Sequence, residues 1–347
     1  MTETKTALTI DSPLALVLGA TGGIGGAVAA RLRQRGYRVR AMHRNAAAMA
    51  PRAPDYQWVA GDATNRDDVI AAAAGASLIV HAVNPPGYRN WGTLVLPMID
   101  NTIAAAKAAG ARILMPGTIY NYGPDSFPLI GETSPQNPVT VKGGIRVELE
   151  RRLEKAASEG VPVLIVRAGD YFGPGAGNTW FTQVVVKPGK PVAAITNPAD
   201  RGVGHQWAYL PDVAETMARL LEEADRLPAF ARFHMDGFFD RDGSQLAASI
   251  RRVTGSAELK VKRFPWSLVR LSSPFVPLFR ELIEMRYLWK QAVRLDNAAL
   301  VDFLGEEPQT PIDEAIRATL RSIGCLPAGE MVQRGRASGI TVGEARA

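Results

Sequence analysis

A glycine-rich turn between an apolar run and an amphipathic helix constrains this chain more than any other stretch. The run Leu14-Ala15-Leu16-Val17-Leu18 reads as a buried strand, and Gly19-Ala20-Thr21-Gly22-Gly23-Ile24-Gly25 follows it. Over residues 24–35, Ile24, Val28 and Leu32 recur at helical spacing. Three glycines in this context have separate tasks. One turns the chain sharply off the strand, one lets backbone approach a pyrophosphate, and one lets the helix pack close to the sheet. The helix then aims its free N–H groups and the positive end of its dipole at the phosphates.

Downstream, short apolar runs alternate with helical patterns. Strands are predicted at 37–42, 56–60, 77–83, 112–115 and 161–166, with helices at 65–74, 93–109 and 141–158 between them. That alternation means βαβ units and a parallel sheet. Right-handed crossovers make the sheet doubly wound, with ligands at the carboxyl ends of its strands. Beyond Arg167 the pattern breaks at Gly173-Pro174-Gly175-Ala176-Gly177 and Lys187-Pro188-Gly189-Lys190-Pro191, which are loop signals. Shorter elements follow: a strand at 207–209, a helix at 212–223 and a strand at 232–235. The expected architecture is α/β, a Rossmann doubly wound parallel sheet with a smaller C-terminal substrate lobe. Residues 12–176 form the dinucleotide-binding domain. Residues 177–328 complete the sheet and form the lobe, and 329–347, small and polar, form a flexible tail.

Composition narrows the partners. One cysteine, Cys325, excludes an intrachain disulfide, and the four histidines, His43, His81, His205 and His234, lack metal-ligand spacing. Both features suit a cytoplasmic protein without a metal. The polar N-terminus carries acids and is not a signal peptide, and no run approaches the roughly 18 apolar residues needed to insert stably in a membrane. Net charge is +6, but the arginines are spread out, so nothing beyond charge supports a nucleic-acid partner. Arg31, Arg33, Arg35, Arg38 and Arg40 read as a solvated face. The apolar stretch 266–289 reads as packing within the substrate lobe, with a membrane-surface or partner-binding segment as the alternative.

The second strand selects the cofactor. NAD sites place an acid near its end for the ribose 2′-hydroxyl. This chain has His43-Arg44-Asn45 there, and Arg44 suits a 2′-phosphate. NADP(H) is expected over NAD(H).

These motifs together resemble the extended short-chain dehydrogenase/reductases, the group that includes NAD-dependent epimerases and dehydratases. Gly19-x-x-Gly22-x-x-Gly25 matches their cofactor turn, and Asp62 the acid that contacts adenine. Met115-Pro116-Gly117-Thr118-Ile119-Tyr120-Asn121-Tyr122-Gly123 resembles the segment carrying their catalytic Ser or Thr, with Thr118 in that place. Arg167-Ala168-Gly169-Asp170-Tyr171-Phe172-Gly173 resembles the loop over the nicotinamide, and 205–214 a later strand-to-helix junction. The resemblance implies cofactor contacts at Gly19, Thr21, Gly22, Gly23, Ile24, Gly25, Arg44, Asp62, Ala63, Ala82, Val83, Lys142 and Arg167. It also implies a homodimer through the fourth and fifth helices, the Ala-rich helix 93–109 being one candidate.

The family's proton relay is a Tyr followed four residues later by a Lys. Here Lys142 takes the lysine's place and Pro138 the tyrosine's. Proline cannot ionise, so another group must supply the proton: Tyr120, Tyr171 or Lys142 itself. The expected catalytic set is Thr118 on the substrate oxygen, Lys142 on the ribose, and Tyr120 or a water moving the proton. Plainer roles stand beside these: Thr118 as a turn cap, Lys142 as a surface lysine, Tyr120 and Tyr171 as pocket walls, His81 as a hydrogen-bonded pocket residue. Asp170 is an acid/base candidate by position. The expected function is an NADP(H)-dependent oxidoreductase acting on a small carbonyl, hydroxyl or enone compound. The alternatives are a non-catalytic NADP(H)-binding protein and a sugar-nucleotide epimerase or dehydratase.

Overall fold

The computed structural model describes Thr9, residues 11–85 and residues 90–327. The tail expected at 329–347 lies outside the described residues, as do Pro86 and Gly87 after the fourth strand. Seven strands form one wholly parallel sheet: β1 (Leu14–Leu18), β2 (Arg38–His43), β3 (Gln57–Ala60), β4 (Leu78–His81), β5 (Arg112–Gly117), β7 (Val163–Arg167) and β11 (Phe230–His234). Their spatial order is β11-β7-β5-β4-β1-β2-β3. Chain order reverses between β1 and β4, which pair with Leu18 opposite His81. A crevice opens at that reversal, beyond the carboxyl ends of both strands.

Side-chain alternation along β1 assigns each face of the sheet. Leu14, Leu16 and Leu18 face a core shared with α3 (Arg66–Ala73), α4 (Trp91–Ala109) and α5 (Val141–Ser158). Ala15 and Val17 face α1 (Gly23–Gln34) and α6 (Leu210–Glu222). A short α2 (Ala46–Met49) follows β2. Caps explain where helices begin. Asn65 accepts from the backbone N–H groups of Asp67 and Asp68 at the start of α3, and the Thr140 hydroxyl accepts from Gly143 N–H at the start of α5.

The remaining strands are short: β6 (Leu129–Ile130), β8 (Asp170–Phe172), β9 (Ala194–Asn197), β10 (His205–Tyr209), β12 (Phe238–Asp240), β13 (Lys260–Arg263) and β14 (Arg294–Leu295). They form one three-stranded sheet, β12-β10-β8, and the pairs β13-β9 and β14-β6. With α7 (Gln245–Thr254) and α11 (Ile312–Ser322) they enclose a separate core around Phe181, Trp207, Ile250, Trp289 and Ile316. The helix α10 (Ala298–Leu304) instead sets Leu300 into the sheet core.

The apolar stretch 266–289 folds as α8 (Trp266–Ser272), α9 (Pro277–Glu284) and a turn, Met285–Trp289. Trp266, Met285, Leu288 and Trp289 are buried, whereas Leu268, Leu271 and Phe275 are exposed. The arginine group departs from a plain solvated face. Arg31 and Arg35 both reach Glu215 on α6, Arg35 also reaches Glu222, and Arg40 donates to the carbonyls of Ala72 and Ala74. These arginines bind the edge of the sheet and one helix to its neighbour. No helix among the described residues is long and apolar enough to cross a membrane.

Candidate active site

The glycine turn occupies the crevice, and its geometry explains its residues. Gly19 has φ +93°, a left-handed conformation, and a Cβ there would stand 2.5 Å from the Ala82 carbonyl oxygen. A Cβ on Gly25 would meet the Gly19 carbonyl, so α1 approaches β1 only because that position is bare. Gly22 N–H donates to Gly19 O at 2.9 Å. No side chain caps α1 and its first turn holds no acid, so its first N–H groups stay open to a phosphate.

A cleft of about 390 Å³ runs from this turn across the ends of β2 and β3. Gly19, Thr21 and Gly22 line it on one side, Ala82 and Val83 on another. Arg44, Asp62 and Ala63 line its far end. Thr64 donates to Asp62 through its backbone N–H at 2.9 Å and its hydroxyl at 2.8 Å, which holds the Asp62 carboxyl below the usual range, with the Arg44 charge adding to the effect.

A second cavity of about 250 Å³ continues from the first past Gly22, Ala82 and Asn84. Gly23 and Ile24 line one wall; Thr118, Tyr120, Arg146 and Tyr171 line another. The Thr118 hydroxyl donates to Asn121 Oδ1 at 3.3 Å and makes no helix cap. Burial pushes the Tyr171 phenol above the ordinary tyrosine value, so it is a neutral donor. Asp170 also lines this cavity, with His205 Nε2 at 2.7 Å from Oδ2. The His205 ring stacks on Trp289 at 3.7 Å between centroids, so the end of the apolar 266–289 stretch buttresses the cavity wall. His81 is buried with Nδ1 2.8 Å from the Thr102 hydroxyl, and burial pushes its pKa down to about 3. It lines neither cavity.

Two residues stand apart from their expected places. Lys142 lines neither cavity; its ammonium pairs with Glu281 and, at 2.8 Å, with Glu284 of α9. With Tyr120 it borders a smaller cavity of about 20 Å³ on the α9 side. Arg167 also lines neither cavity. It is wholly buried, donates to Glu150 and to the Thr118 carbonyl, and so holds the strand end that presents Thr118. In their stead the structure brings forward Arg146, one helical turn beyond Lys142, whose Nη2 donates to Asn84 Oδ1 at 2.6 Å. Its sequence signal was only a basic residue at i+4 on the same helix face.

The crevice, the glycine turn and the continuous cleft are those of a dinucleotide site. A model of the NAD dependent epimerase/dehydratase family matches residues 15–234, well over half of the chain. The chain belongs to the NAD-dependent epimerase/dehydratase family. Among curated relatives, a 3-diazoavenalumate denitrifying reductase of a Streptomyces species is 32% identical over 181 residues, covering 47% of this chain and 57% of that protein. An uncharacterized protein, y4nL of Sinorhizobium fredii, is 28% identical over 190 residues, covering 49% of this chain and 53% of that protein. The chain thus matches little more than half the length of either. Among solved structures, the UDP-glucuronic acid 4-epimerase of Bacillus cereus in complex with NAD superposes with a TM-score of 0.69 at 15% identity, over 89% of this chain and 98% of that one. MoeE5 in complex with UDP-glucose and NAD gives 0.68, with the same identity and coverage. At such identity these structures share the fold.

Proposed function

We propose that this family member is an NADP(H)-dependent oxidoreductase that acts on a small carbonyl, hydroxyl or enone compound. The observation carrying this reading is the open cavity of about 250 Å³, continuous with the cofactor cleft and lined by Thr118, Tyr120 and Tyr171. A protein that only bound dinucleotide would have no need of an open space beside it. The reductase relative supports the same reaction class.

The residues fit a dinucleotide. The uncapped start of α1 and the bare glycine cradle suit the pyrophosphate, and Asp62 suits the adenine end. Arg44 lines the same end of the cleft as Asp62, and a guanidinium there supports a 2′-phosphate ligand. When bound, the nicotinamide supplies or accepts hydride. Thr118 holds the substrate oxygen by its hydroxyl. Tyr120 borders both the main cavity and the smaller one beside Lys142, and it hands on the proton directly or through water.

Titration of purified protein with NADPH and NADH, followed by nicotinamide fluorescence, tests the reading. Wild type should bind NADPH more tightly, and Arg44→Ala should lose about tenfold in NADPH affinity while NADH binding stays unchanged. Failure to bind either cofactor overturns it.

A further inference from the structure

We infer that the tip formed by α8 and the turn after it docks on an anionic lipid bilayer, lying in the headgroup region without spanning it. α8 is apolar on two opposite faces. Trp266 and Val269 are buried, and the Trp266 indole N–H donates to the Pro198 carbonyl at 2.7 Å. Leu268 and Leu271 stand roughly opposite Trp266 at about 3.6 residues per turn, and they are 62% and 74% exposed. The chain then turns, with the Phe275 N–H donating to the Ser272 carbonyl at 3.1 Å, and leaves Phe275 86% exposed. A helix apolar all round belongs in a core, yet one face of α8 is open to solvent. Single exposed apolar residues need no explanation, but a cluster does. Of the seven large apolar side chains exposed among the described residues, four lie between Val261 and Phe275.

Charge selects the partner. Residues 260–280 carry Lys260, Lys262, Arg263, Arg270 and Arg280 and no acid, a local +5 in a chain of net charge +6. All five cations are exposed, and among the described residues none is in an ion pair. The next acids, Glu281 and Glu284, are engaged by Lys142. β13, exposed along its whole length, ends two residues before α8 begins, so a basic strand adjoins the apolar tip. Basic residues interleaved with exposed apolar ones are the pattern of a surface-bound membrane segment.

A second copy of the chain suits this tip poorly. A two-fold interface sets the same patch against itself, so these cations would face each other with no acid between them. An anionic headgroup layer instead attracts each cation, while the acyl boundary takes the two leucines and the phenylalanine out of water.

The test uses the purified full chain and two double variants, Leu271→Ser with Phe275→Ser, and Lys262→Gln with Arg263→Gln; melting curves establish that each is folded. Cosedimentation is measured with vesicles of phosphatidylcholine alone and of equal parts phosphatidylcholine and phosphatidylglycerol, at low and at high salt. Wild type should partition onto the mixed vesicles at least about tenfold more than onto the neutral ones, and high salt should release it. Each variant should lower partition onto the mixed vesicles by about tenfold or more, one by losing acyl contact and the other by losing headgroup attraction. Wild type that stays in solution with both vesicle types, or binds both equally, overturns the anionic bilayer. Folded variants that both partition like wild type place the contact elsewhere and overturn it too. A loss confined to the lysine and arginine variant means adsorption to any polyanion and overturns entry of the tip. A wild-type dimer in sedimentation velocity that becomes a monomer in the Leu271 and Phe275 variant, with no vesicle binding, assigns the tip to a second copy instead. If that variant does not fold, Phe275→Ser alone takes its place. Vesicle binding needs no cofactor, so failure to bind NADPH or NADH bears on the oxidoreductase reading alone.

Discussion

Glu150 and Arg167 form a buried bidentate ion pair: both Glu150 oxygens accept from Arg167 Nη2 at 2.8 Å, with 4% and 0% of the two side chains exposed. Arg167 also donates to the Thr118 carbonyl, so the pair braces the strand end beside the 250 Å³ cavity. Removing one partner of such a pair strands a buried charge. Glu150→Gln should cost about 3 kcal/mol of unfolding free energy, measured by urea denaturation at pH 7.5. A loss below about 0.5 kcal/mol would mean the pair contributes little.

Gly19 and Gly36 offer a matched comparison. Both have positive φ, +93° and +89°, but a Cβ on Gly36 meets nothing within 4 Å, whereas one on Gly19 meets the Ala82 carbonyl. Gly36→Ala should cost about 1 kcal/mol, the left-handed penalty alone, and leave NADPH binding intact. Gly19→Ala should cost more, because β1 and β4 must part, and should weaken NADPH binding by at least about tenfold. Equal effects from the two changes would contradict the close approach.

His81 predicts a pH dependence. Burial lowers its folded pKa from the ordinary 6.5 to about 3. Below about pH 6.5 the unfolded chain takes up a proton that the folded chain refuses, so stability falls as pH falls, over the window from about 6.5 down to about 3. Its share by pH 5 is about 2 kcal/mol. His234, also buried and also lowered, acts with the same sign. His81→Asn, which keeps a partner for Thr102, should flatten the stability loss between pH 6.5 and 5; an unchanged slope would assign the loss to other groups.

Lys142 is expected to act on architecture more than on cofactor. Its ammonium pairs with Glu281 and Glu284, and its backbone N–H donates to Glu284 Oε1 at 3.1 Å. Lys142→Met should lower stability by about 1 to 2 kcal/mol and expose α9 to proteolysis. NADPH affinity should stay within about threefold of wild type. A loss near tenfold would return Lys142 to the ribose, where resemblance alone had put it.

The fold was legible because its signals are local. Short continuous apolar runs marked β1, β4, β5 and β7, period-3.6 runs marked α1, α4 and α5, and α5 begins and ends at Val141 and Ser158 as the pattern predicts. Ends shifted by a residue or two elsewhere: α4 starts at Trp91 rather than 93, and β10 at His205 rather than 207. The cofactor cleft was legible for the same reason, since Gly19, Arg44, Asp62 and Ala82 each end or follow a strand of one parallel sheet, and those ends converge by topology.

The wall of the second cavity was only half legible. Thr118, Tyr120 and Tyr171 line the cavity, whereas Lys142 and Arg167 do not. Lys142 and Arg146 lie one turn apart on α5, and nothing in the local pattern distinguishes which of them meets the ligand. That choice belongs to partners far along the chain: Glu284, 142 residues beyond Lys142, holds its ammonium, while Asn84, 62 residues before Arg146, orients the guanidinium. The sequence by itself therefore determined the parallel sheet, its glycine turn and the dinucleotide cleft, because periodicity and backbone sterics act within a few residues. Only the tertiary structure decided which cation faces the cavity and which is tied to a helix, because that outcome depends on which distant carboxylates and amides are brought within hydrogen-bonding reach.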